Sequence, residues 1–416
     1  MKYPILCALA ILAALLCGCG GGGGSSTQTP VLNSSPAITT LAQARQHCSW
    51  TILVYLDADN DLESIAMTNL NQMEKIGSTE DVHVIAQVDR IPGHDTSNGN
   101  WTDTRRYLIT RDTDELGTGS IRLDASPLGE LDMGDWRTLR DFVEWGRTQF
   151  PADHYCLVIW DHGTGWQFVA TRAVPKFKHI AVDDTSGSSI DVTSLPDALA
   201  GQGMDVVAFD ACLMSQLEVA YEIKDCAGYM VGSAALVPSS GYNYYTWLSQ
   251  VSSSADARGM CGLIVNAYAA TYPEPRRSIT HSAIDLSRVD DVADAASVFA
   301  QVLAANSYRS QALADARDAA LNYSTADGGA ERHYLDLVDY AGKCASAIGS
   351  NASAAYSALS AAVNAAVVAE THNRDTAAAR GLGVYVPPAG TVDSRYATLR
   401  FAADTHWNEW LQAQTQ

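Results

Sequence analysis

Two residues have the types and positions of a nucleophile and its general base. Cys212 follows the run Asp205-Val206-Val207-Ala208-Phe209-Asp210, and His162 follows the run 155–160. Both runs are short, apolar and closed by polar residues, which is typical of buried strands. Covalent cleavage by a cysteine needs a base that forms the thiolate and donors that stabilise the oxyanion. Cys212 and His162 could therefore form a catalytic dyad if the fold brings the two strand ends together.

The neighbours of the pair suit the same chemistry. Gly163 leaves room beside the histidine for a backbone N–H donor and for close approach of a substrate. The backbone N–H at the turn of Cys212 could supply a second donor to the oxyanion. The sequence predicts a helix over 215–223, and a helix that starts near Cys212 would favour its thiolate through the helix dipole.

The alternative reading of these residues is structural. Five more cysteines lie in the chain after residue 47, and a cysteine is more often buried or in a disulfide than a nucleophile. Their pairing cannot be read from their spacing. However, His162 precedes Cys212 by 50 residues, and caspases place their histidine about 50 residues before their cysteine. The order and spacing of the pair therefore favour catalysis more than either residue alone.

The elements around the pair predict a mostly parallel α/β sheet flanked by helices. Apolar runs at 49–56, 81–89, 155–160, 205–210 and 228–233 alternate with helical patterns, and this alternation is typical of a sheet covered on both faces. Ligands of such sheets bind beyond the carboxyl ends of the strands, where both His162 and Cys212 lie.

The chain after residue 255 has a different composition. Alanine is dense over 291–305, 311–321 and 352–370, which predicts helices, and 282–286 and 381–387 are strand-like. We expect a catalytic domain over 49–255 and an α-rich region over 256–416 that returns a strand, 381–387, to the main sheet.

The N-terminus is typical of an exported lipoprotein. Lys2 precedes an apolar stretch of residues 5–16 that is too short to span a membrane. The following Leu16-Cys17-Gly18-Cys19 resembles a bacterial lipobox, which predicts a signal peptide over 1–18 and lipidation of Cys19; an ordinary signal peptide is the alternative. Residues 19–48 begin with five glycines and continue rich in Ser, Thr and Pro, as in a flexible tether. The glycine after Cys19 is similar to that of lipoproteins of the outer membrane.

The charge of the chain restricts its partners. The formal net charge is -20, with 47 acidic and 27 basic residues. Such a surface repels phosphate backbones and anionic headgroups, so we expect no nucleic-acid partner. The lipid would be the contact with the membrane.

Several segments together resemble the clostripain family of cysteine peptidases, which is related to caspases, legumains and gingipains. The matching segments cover most of residues 49–390: Trp50-Thr51-Ile52-Leu53-Val54-Tyr55-Leu56-Asp57-Ala58-Asp59-Asn60-Asp61-Leu62-Glu63, Ile159-Trp160-Asp161-His162-Gly163-Thr164-Gly165-Trp166, Phe209-Asp210-Ala211-Cys212-Leu213-Met214, Tyr221-Glu222, the turn from Pro238 to Tyr242, and Gly381–Pro387. The resemblance implies a caspase-like fold and an endopeptidase acting on peptides or proteins.

The resemblance also assigns roles to residues. It implies that His162 and Cys212 are the dyad, that the backbone N–H groups of Gly163 and Cys212 form the oxyanion hole, and that Asp210 binds a basic side chain before the scissile bond. Family members can cut themselves in the loop after the histidine, which points to Lys176. The family often has acids where this chain has Ala234, Ala235 and Ser240, which weakens a strict preference for Arg or Lys.

The same resemblance bears on metal ions. The chemistry of the dyad requires no cofactor, but some clostripain-like enzymes use calcium. The segment 57–61 carries aspartates at alternate positions, yet an EF-hand would need Gly and Glu where the chain has Leu62 and Thr68. We therefore expect a turn with helix capping there, and a calcium site of another kind stays open.

Two other functions remain open from the sequence. The chain could be a surface binding lipoprotein that kept the fold and lost catalysis, although such a protein has no chemical need for Cys212 and His162. It could also transfer its acyl group to an amine rather than to water, as a peptide ligase does.

Overall fold

A nine-stranded mixed sheet forms the middle layer of the computed structural model, which describes residues 35–115, 117–124, 126–167, 180–273, 279–324 and 333–414. The described strands are β1 (Cys48–Ala58), β2 (Val82–Arg90), β3 (Arg105–Leu108), β4 (Ile121–Arg122), β5 (Ala152–Trp160), β6 (Ile180–Asp183), β7 (Ser188–Ile190), β8 (Met204–Asp210), β9 (Ala227–Gly232), β10 (Thr280–Asp285), β11 (Tyr334–Asp336), β12 (Val367–His372) and β13 (Gly383–Tyr385). The sheet order is β12-β10-β9-β8-β5-β1-β2-β3-β4. The predicted signal peptide, Cys19 and Lys176 lie outside the described residues.

Helices cover both faces of this sheet. They are α1 (Leu41–Ala44), α2 (Glu63–Glu74), α3 (Trp136–Gln149), α4 (Leu195–Leu199), α5 (Leu217–Glu222), α6 (Tyr244–Leu248), α7 (Ala257–Thr271), α8 (Val289–Ala305), α9 (Ser310–Ala319), α10 (Leu337–Ile348), α11 (Ser350–Ala366), α12 (Arg400–Asp404) and α13 (Trp407–Ala413). Within the described residues, no helix combines the length and the apolar character that crossing a bilayer requires.

The centre of the sheet is parallel, as predicted. Strands β9, β8, β5, β1 and β2 run parallel to one another, and the outer strands β10, β12, β3 and β4 are added by antiparallel pairing. Alternate residues of β1 enter opposite cores: Leu53 and Tyr55 pack on one face, Ile52 and Val54 on the other. Because both faces are covered, the central strands are continuously apolar rather than alternating. The predicted mostly parallel α/β sheet flanked by helices is thereby confirmed.

Two predictions for the C-terminal region are wrong in detail. Residues 381–387 do not join the main sheet, because β13 pairs antiparallel with β11 in a separate two-stranded sheet. Instead β10 and β12 extend the main sheet. The helix predicted over 352–370 ends at Ala366, since Val367, Val368 and Thr371 bring β-branched residues that favour the strand β12.

Candidate active site

The register between β5 and β8 places the two predicted catalytic residues side by side. Trp160 lies opposite Asp210 in this parallel pair, so His162 and Cys212 each follow two residues beyond matched positions. Parallel strands end at the same edge of a sheet, and their following turns meet there. Proximity of the two turns is visible at Gly163, where a Cβ atom would lie 2.4 Å from the carbonyl oxygen of Cys212.

Both residues line a cleft of about 190 Å³ at this edge. The cleft is bounded by the end of β5, the turn after β8, the start of α2 and the 237–241 loop. Its lining is formed by Leu62, Trp160, Asp161, His162, Asp210, Ala211, Cys212, Val237, Pro238, Ser239 and Gly241. The structure therefore brings His162, Cys212 and Asp210 into one cleft, as the sequence predicted.

The environment of Cys212 differs from that of the other cysteines. Within the described residues the six cysteines are thiols rather than disulfides, and five are buried while Cys212 is half-buried. The backbone N–H of Val237 donates to its Sγ at 3.1 Å. A backbone donor on sulfur stabilises negative charge there. Cys212 thus combines access from the cleft with a group that supports a thiolate.

The predicted help from a helix dipole is not present. Helix α5 begins at Leu217 rather than at residue 215, and Cys212 lies in a turn in which Leu213 has φ 63°. The chain is extended at the cap because Ser215 accepts from the N–H of Gly383 and Gln216 forms a β-bridge with Gly383. The dipole acts only within about the first turn, so α5 is too distant to act on the thiol.

His162 is oriented by a carboxylate that sequence reasoning missed. Its Nε2 lies 2.8 Å from Oδ1 of Asp61, whose side chain is 64% exposed. An ion pair so exposed adds little to stability, but it restrains the rotation of the imidazole. The contact follows from the strand order, because β1 lies next to β5 with Leu56 opposite Trp160. The loop after β1 therefore reaches the histidine.

Asp161 joins the two loops that flank the histidine. Its Oδ1 accepts a hydrogen bond of 2.8 Å from Asn60 Nδ2, and its Oδ2 accepts from the N–H of Val182. The same amide of Asn60 also donates to the carbonyl of Val182 at 2.9 Å. Asp161 is thus a buried link between the β1–α2 loop and β6.

Asp210 forms a buried acidic wall of the cleft. Its carboxylate accepts hydrogen bonds from the N–H of Tyr242 at 3.0 Å and from the hydroxyl of Tyr244 at 3.1 Å. Burial raises the pKa of Asp210 to about 7, although these two hydrogen bonds act in the opposite direction. Asp210 does not cap α5, because the N-cap of that helix is Gln216.

The positions at which family members carry further acids are neutral here. Ala234 and Ala235 are buried in the core rather than directed to the cleft. Ser239 lines the cleft, while the hydroxyl of Ser240 lies 2.8 Å from that of Tyr272. Asp210 is therefore the acid that this cleft offers to a basic side chain, beside Asp161, which is already engaged.

A second cysteine–histidine pair exists, but its surroundings are unsuitable for catalysis. Cys48 Sγ lies 3.2 Å from His83 Nδ1, at the amino ends of β1 and β2. Both side chains are buried, 4% and 1% exposed. Burial raises the pKa of Cys48 to about 11 and lowers that of His83 to about 4. The thiol therefore stays protonated and out of reach of a peptide.

Comparisons with known proteins agree with this arrangement. The structure of an inactive zymogen C11 protease from Parabacteroides distasonis superposes with a TM-score of 0.65 at 19% identity, over 86% of this chain and 99% of that one. A secreted C11 cysteine protease from Bacteroides thetaiotaomicron, iotapain, gives 0.64 at 18% identity, over 87% of this chain and 100% of that one. At these identities the likeness concerns the fold.

Sequence comparison reaches further. Clostripain from Hathewaya histolytica is 28% identical over 232 residues, which are 50% of this chain and 43% of clostripain. The chain thus matches less than half of the length of that relative. The model of the clostripain family matches residues 54–413, which include the whole cleft. This chain belongs to the clostripain family, peptidase family C11.

Proposed function

We propose that the protein is a cysteine endopeptidase in which Cys212 is the nucleophile and His162 the general base. The observation that carries this proposal is the meeting of the two residues in one open cleft at the carboxyl edge of the sheet. Among the cysteines of the described residues, Cys212 is half-buried and the other five are buried. Membership of the clostripain family supports the same assignment.

The steps follow from the groups in the cleft. His162 takes the proton of the Cys212 thiol, and the thiolate attacks the carbonyl carbon of the scissile bond. The backbone N–H groups of Gly163 and Cys212 stabilise the oxyanion. His162 then gives the proton to the leaving amine, which departs and leaves a thioester. Water attacks the thioester with His162 as base, releasing the acid and restoring the thiol. These steps use no metal ion or cofactor.

Asp210 is proposed to select a basic side chain before the scissile bond. It lies in the wall of the cleft two residues from Cys212, and Gly241 packs against its carboxylate. A side chain would not fit there, because a Cβ atom at residue 241 would lie 2.7 Å from Oδ1 of Asp210. A buried carboxylate attracts an Arg or Lys side chain more strongly than an exposed one does.

The proposed activity is tested with fluorogenic peptides that differ only in the residue before the scissile bond. We expect cleavage after Arg and Lys, with release of the free acid even when an amine nucleophile is added. Transfer to the amine would identify a ligase instead. Absence of cleavage by the purified protein, before and after processing near Lys176 and with Ca²⁺ present, would contradict the proposal and favour a surface binding lipoprotein.

Replacing Asp210 with Asn should reduce the preference for Arg. Loss of one partner of a desolvated charge pair costs about 2 kcal/mol or more, which is roughly thirtyfold. The measured quantity is kcat/KM for an Arg peptide divided by kcat/KM for the matched Gln peptide. We expect this ratio to fall roughly thirtyfold, while cleavage of the Gln peptide changes little. An unchanged ratio would show that Asp210 does not contact the basic side chain.

The same ratio should depend on pH in the unmodified protein. The carboxyl of Asp210 has a pKa of about 7, so it is neutral below that pH and charged above it. The preference for Arg should therefore rise between about pH 6 and pH 8. Effects of the dyad cancel in the ratio because both peptides use it. The Asn variant should show no such rise.

We further propose that the protein is exported and anchored in the outer membrane through a lipid on Cys19. The lipobox-like sequence and the glycine-rich tether support this proposal. Replacing Cys19 with Ala should move the protein from the detergent-extracted membrane fraction to the soluble fraction of the producing cell. A protein that stays membrane-bound after this change would refute the anchor.

A further inference from the structure

The carboxylate of Asp210 lies between the catalytic cleft and two buried tyrosines. Asp210 lines the cleft, whereas Tyr242 and Tyr244 do not line it and are 2% and 0% exposed. The N–H of Tyr242 donates to both carboxylate oxygens at 3.0 Å, and the hydroxyl of Tyr244 donates to Oδ2 at 3.1 Å. In the described part of the chain, Tyr244 is thus the residue whose side chain donates to Asp210.

Basic side chains do not balance the charge of Asp210. Across the described residues, no Lys, Arg or His forms an ion pair with it. A buried carboxylate without a positive partner is stable only where hydrogen-bond donors compensate its charge. A donor contributes roughly twice as much to an ionised acceptor as to a neutral one. The hydroxyl of Tyr244 therefore favours the charged form of Asp210 over the protonated form.

Helix α2 holds Tyr244 in place. The N–H of Tyr244 donates to Oε1 of Gln72 at 2.9 Å, and Nδ2 of Asn69 donates to the carbonyl of Tyr242 at 3.3 Å. Nε1 of Trp160, which lines the cleft, donates to Oδ1 of Asn69 at 2.9 Å. The hydroxyl is therefore in position before a substrate arrives, and a preorganised donor costs little when charge is needed.

The buried groups packed around this carboxylate keep their charge near neutral pH. His281 contacts the hydroxyl of Tyr242 at 2.8 Å, and burial lowers the pKa of His281 to about 3, so its imidazole is neutral. Burial also raises the pKa of the nearby phenols well above the usual value, namely Tyr242, Tyr244 and Tyr268. The other ionisable groups that line the cleft are His162, Cys212 and Asp161. Among the buried groups named here, Asp210 is therefore the one whose charge changes near pH 7.

We propose that Tyr244 is a specificity-determining residue that holds Asp210 in the charged form able to bind an Arg side chain. Tyr244 does not line the cleft, so it acts through Asp210 as a positioning residue and not as a catalytic one. Without its hydroxyl, the carboxyl would keep its proton to higher pH and would present a neutral group to the substrate. The effect on specificity rests on the proposed function, whereas the stabilisation of charged Asp210 by Tyr244 does not.

The test is Tyr244→Phe, which removes one oxygen atom and keeps the ring. The measured quantity is kcat/KM for the Arg peptide divided by kcat/KM for the Gln peptide, from about pH 6 to pH 9. Loss of a donor to a charged acceptor should move the midpoint of this ratio up by about one pH unit and lower the ratio roughly fivefold at pH 7. Near pH 9 the ratio should return to that of the unmodified protein, because the carboxyl is then charged in both proteins.

Tyr323→Phe is the matched control. Tyr323 is buried, and its hydroxyl donates to Oδ2 of Asp336 at 2.8 Å, outside the residues that line the cleft. This substitution also takes a hydroxyl from a buried carboxylate, so it should lower the unfolding temperature. The ratio for the two peptides and its midpoint should stay those of the unmodified protein.

Unfolding gives a second readout that needs no cleavage. The folded protein holds the proton of Asp210 more tightly than the unfolded chain does, because the pKa of about 7 lies above the usual value. The contribution of this carboxyl to the free energy of unfolding therefore falls as the pH rises toward 7 and then levels off. In Tyr244→Phe the fall should continue to about pH 8, so the variant should lose more unfolding temperature at high pH than at low pH. In an Asp210→Asn background the loss should be the same at both.

An unchanged midpoint would overturn the proposal, whether the ratio is lowered equally at every pH or not at all, because Tyr244 would then not set the charge of Asp210. A loss of unfolding temperature that does not depend on pH would overturn it as well. If Asp210→Asn changes the ratio and Tyr244→Phe does not, the role of Tyr244 fails and the proposed function stands. If no peptide is cleaved but the loss of unfolding temperature grows with pH, the proposed function fails and the action of Tyr244 on charged Asp210 is supported.

Discussion

Cys212→Ala should abolish peptide cleavage, whereas Cys48→Ala should leave kcat nearly unchanged. The two cysteines each lie near a histidine in the fold, but Cys212 opens to the cleft and Cys48 is buried with a pKa of about 11. Loss of a catalytic nucleophile typically lowers kcat by ~10³-fold or more. The measurement is kcat with an Arg peptide, together with the unfolding temperature of each variant.

The same comparison applies to the two histidines, His162 and His83. His162→Ala should lower kcat about as much as Cys212→Ala, and the double variant should be little worse than either, because the pair acts as one unit. His83→Ala should remain active. Self-cleavage after Lys176, measured by intact-protein mass spectrometry, should be absent in Cys212→Ala and still occur in Cys48→Ala. The opposite pattern would assign catalysis to Cys48 and His83.

The location of the cleft could be predicted from the sequence because it depends on strand ends. Asp161-His162-Gly163 and Ala211-Cys212 each directly follow an apolar run. The two segments meet if β5 and β8 pair in parallel, and the structure has this pairing with Trp160 opposite Asp210. Spacing along the chain and one rule of sheet geometry were sufficient. The fold class followed from the same alternation of apolar runs and helices.

What could not be predicted depends on partners distant in sequence. The start of α5 is delayed because residues 215 and 216 pair with Gly383, more than 160 residues later. The contact of Asp61 with His162 depends on β1 lying beside β5. The pairing of β13 with β11 depends on edge contacts that no local pattern encodes. Local propensity was outweighed by tertiary contacts at each of these positions.

The acidic residues of segment 57–61 and Asp210 also show that local sequence does not decide the role of a residue. The aspartates of segment 57–61 are typical of a turn, and only the fold shows that Asp59 faces Asp89, Glu130 and Asp183. Asp210 before Cys212 is equally typical of a helix cap, and only its contact with the 241–244 segment shows that it lines the cleft. Residue type limits the chemistry, while neighbours across the sheet decide which chemistry is used.

Gly163→Ala should lower kcat by about 10²- to 10³-fold while the protein stays folded. The added Cβ would lie 2.4 Å from the carbonyl oxygen of Cys212 and 3.0 Å from its nitrogen. Both are backbone atoms, so the turns after β5 and β8 must separate. This movement displaces the proposed oxyanion donors, and loss of one such donor costs about that factor in kcat. KM should change little, because the oxyanion forms only during reaction.

Gly262→Ala is the matched control for this substitution. Gly262 lies in α7, and no atom lies within 4 Å of the position that a Cβ atom would take there, so the same added methyl group should leave kcat unchanged and stabilise the helix slightly. Kinetics with the Arg peptide and the unfolding temperature separate the two effects. If Gly163→Ala kept full activity, close approach of the two turns would not be required, and the oxyanion hole would have to be built from other donors. If Gly163→Ala instead lowered kcat at an unchanged unfolding temperature, the substitution would destabilise the transition state and not the fold, as expected if the backbone N–H of Gly163 binds the oxyanion.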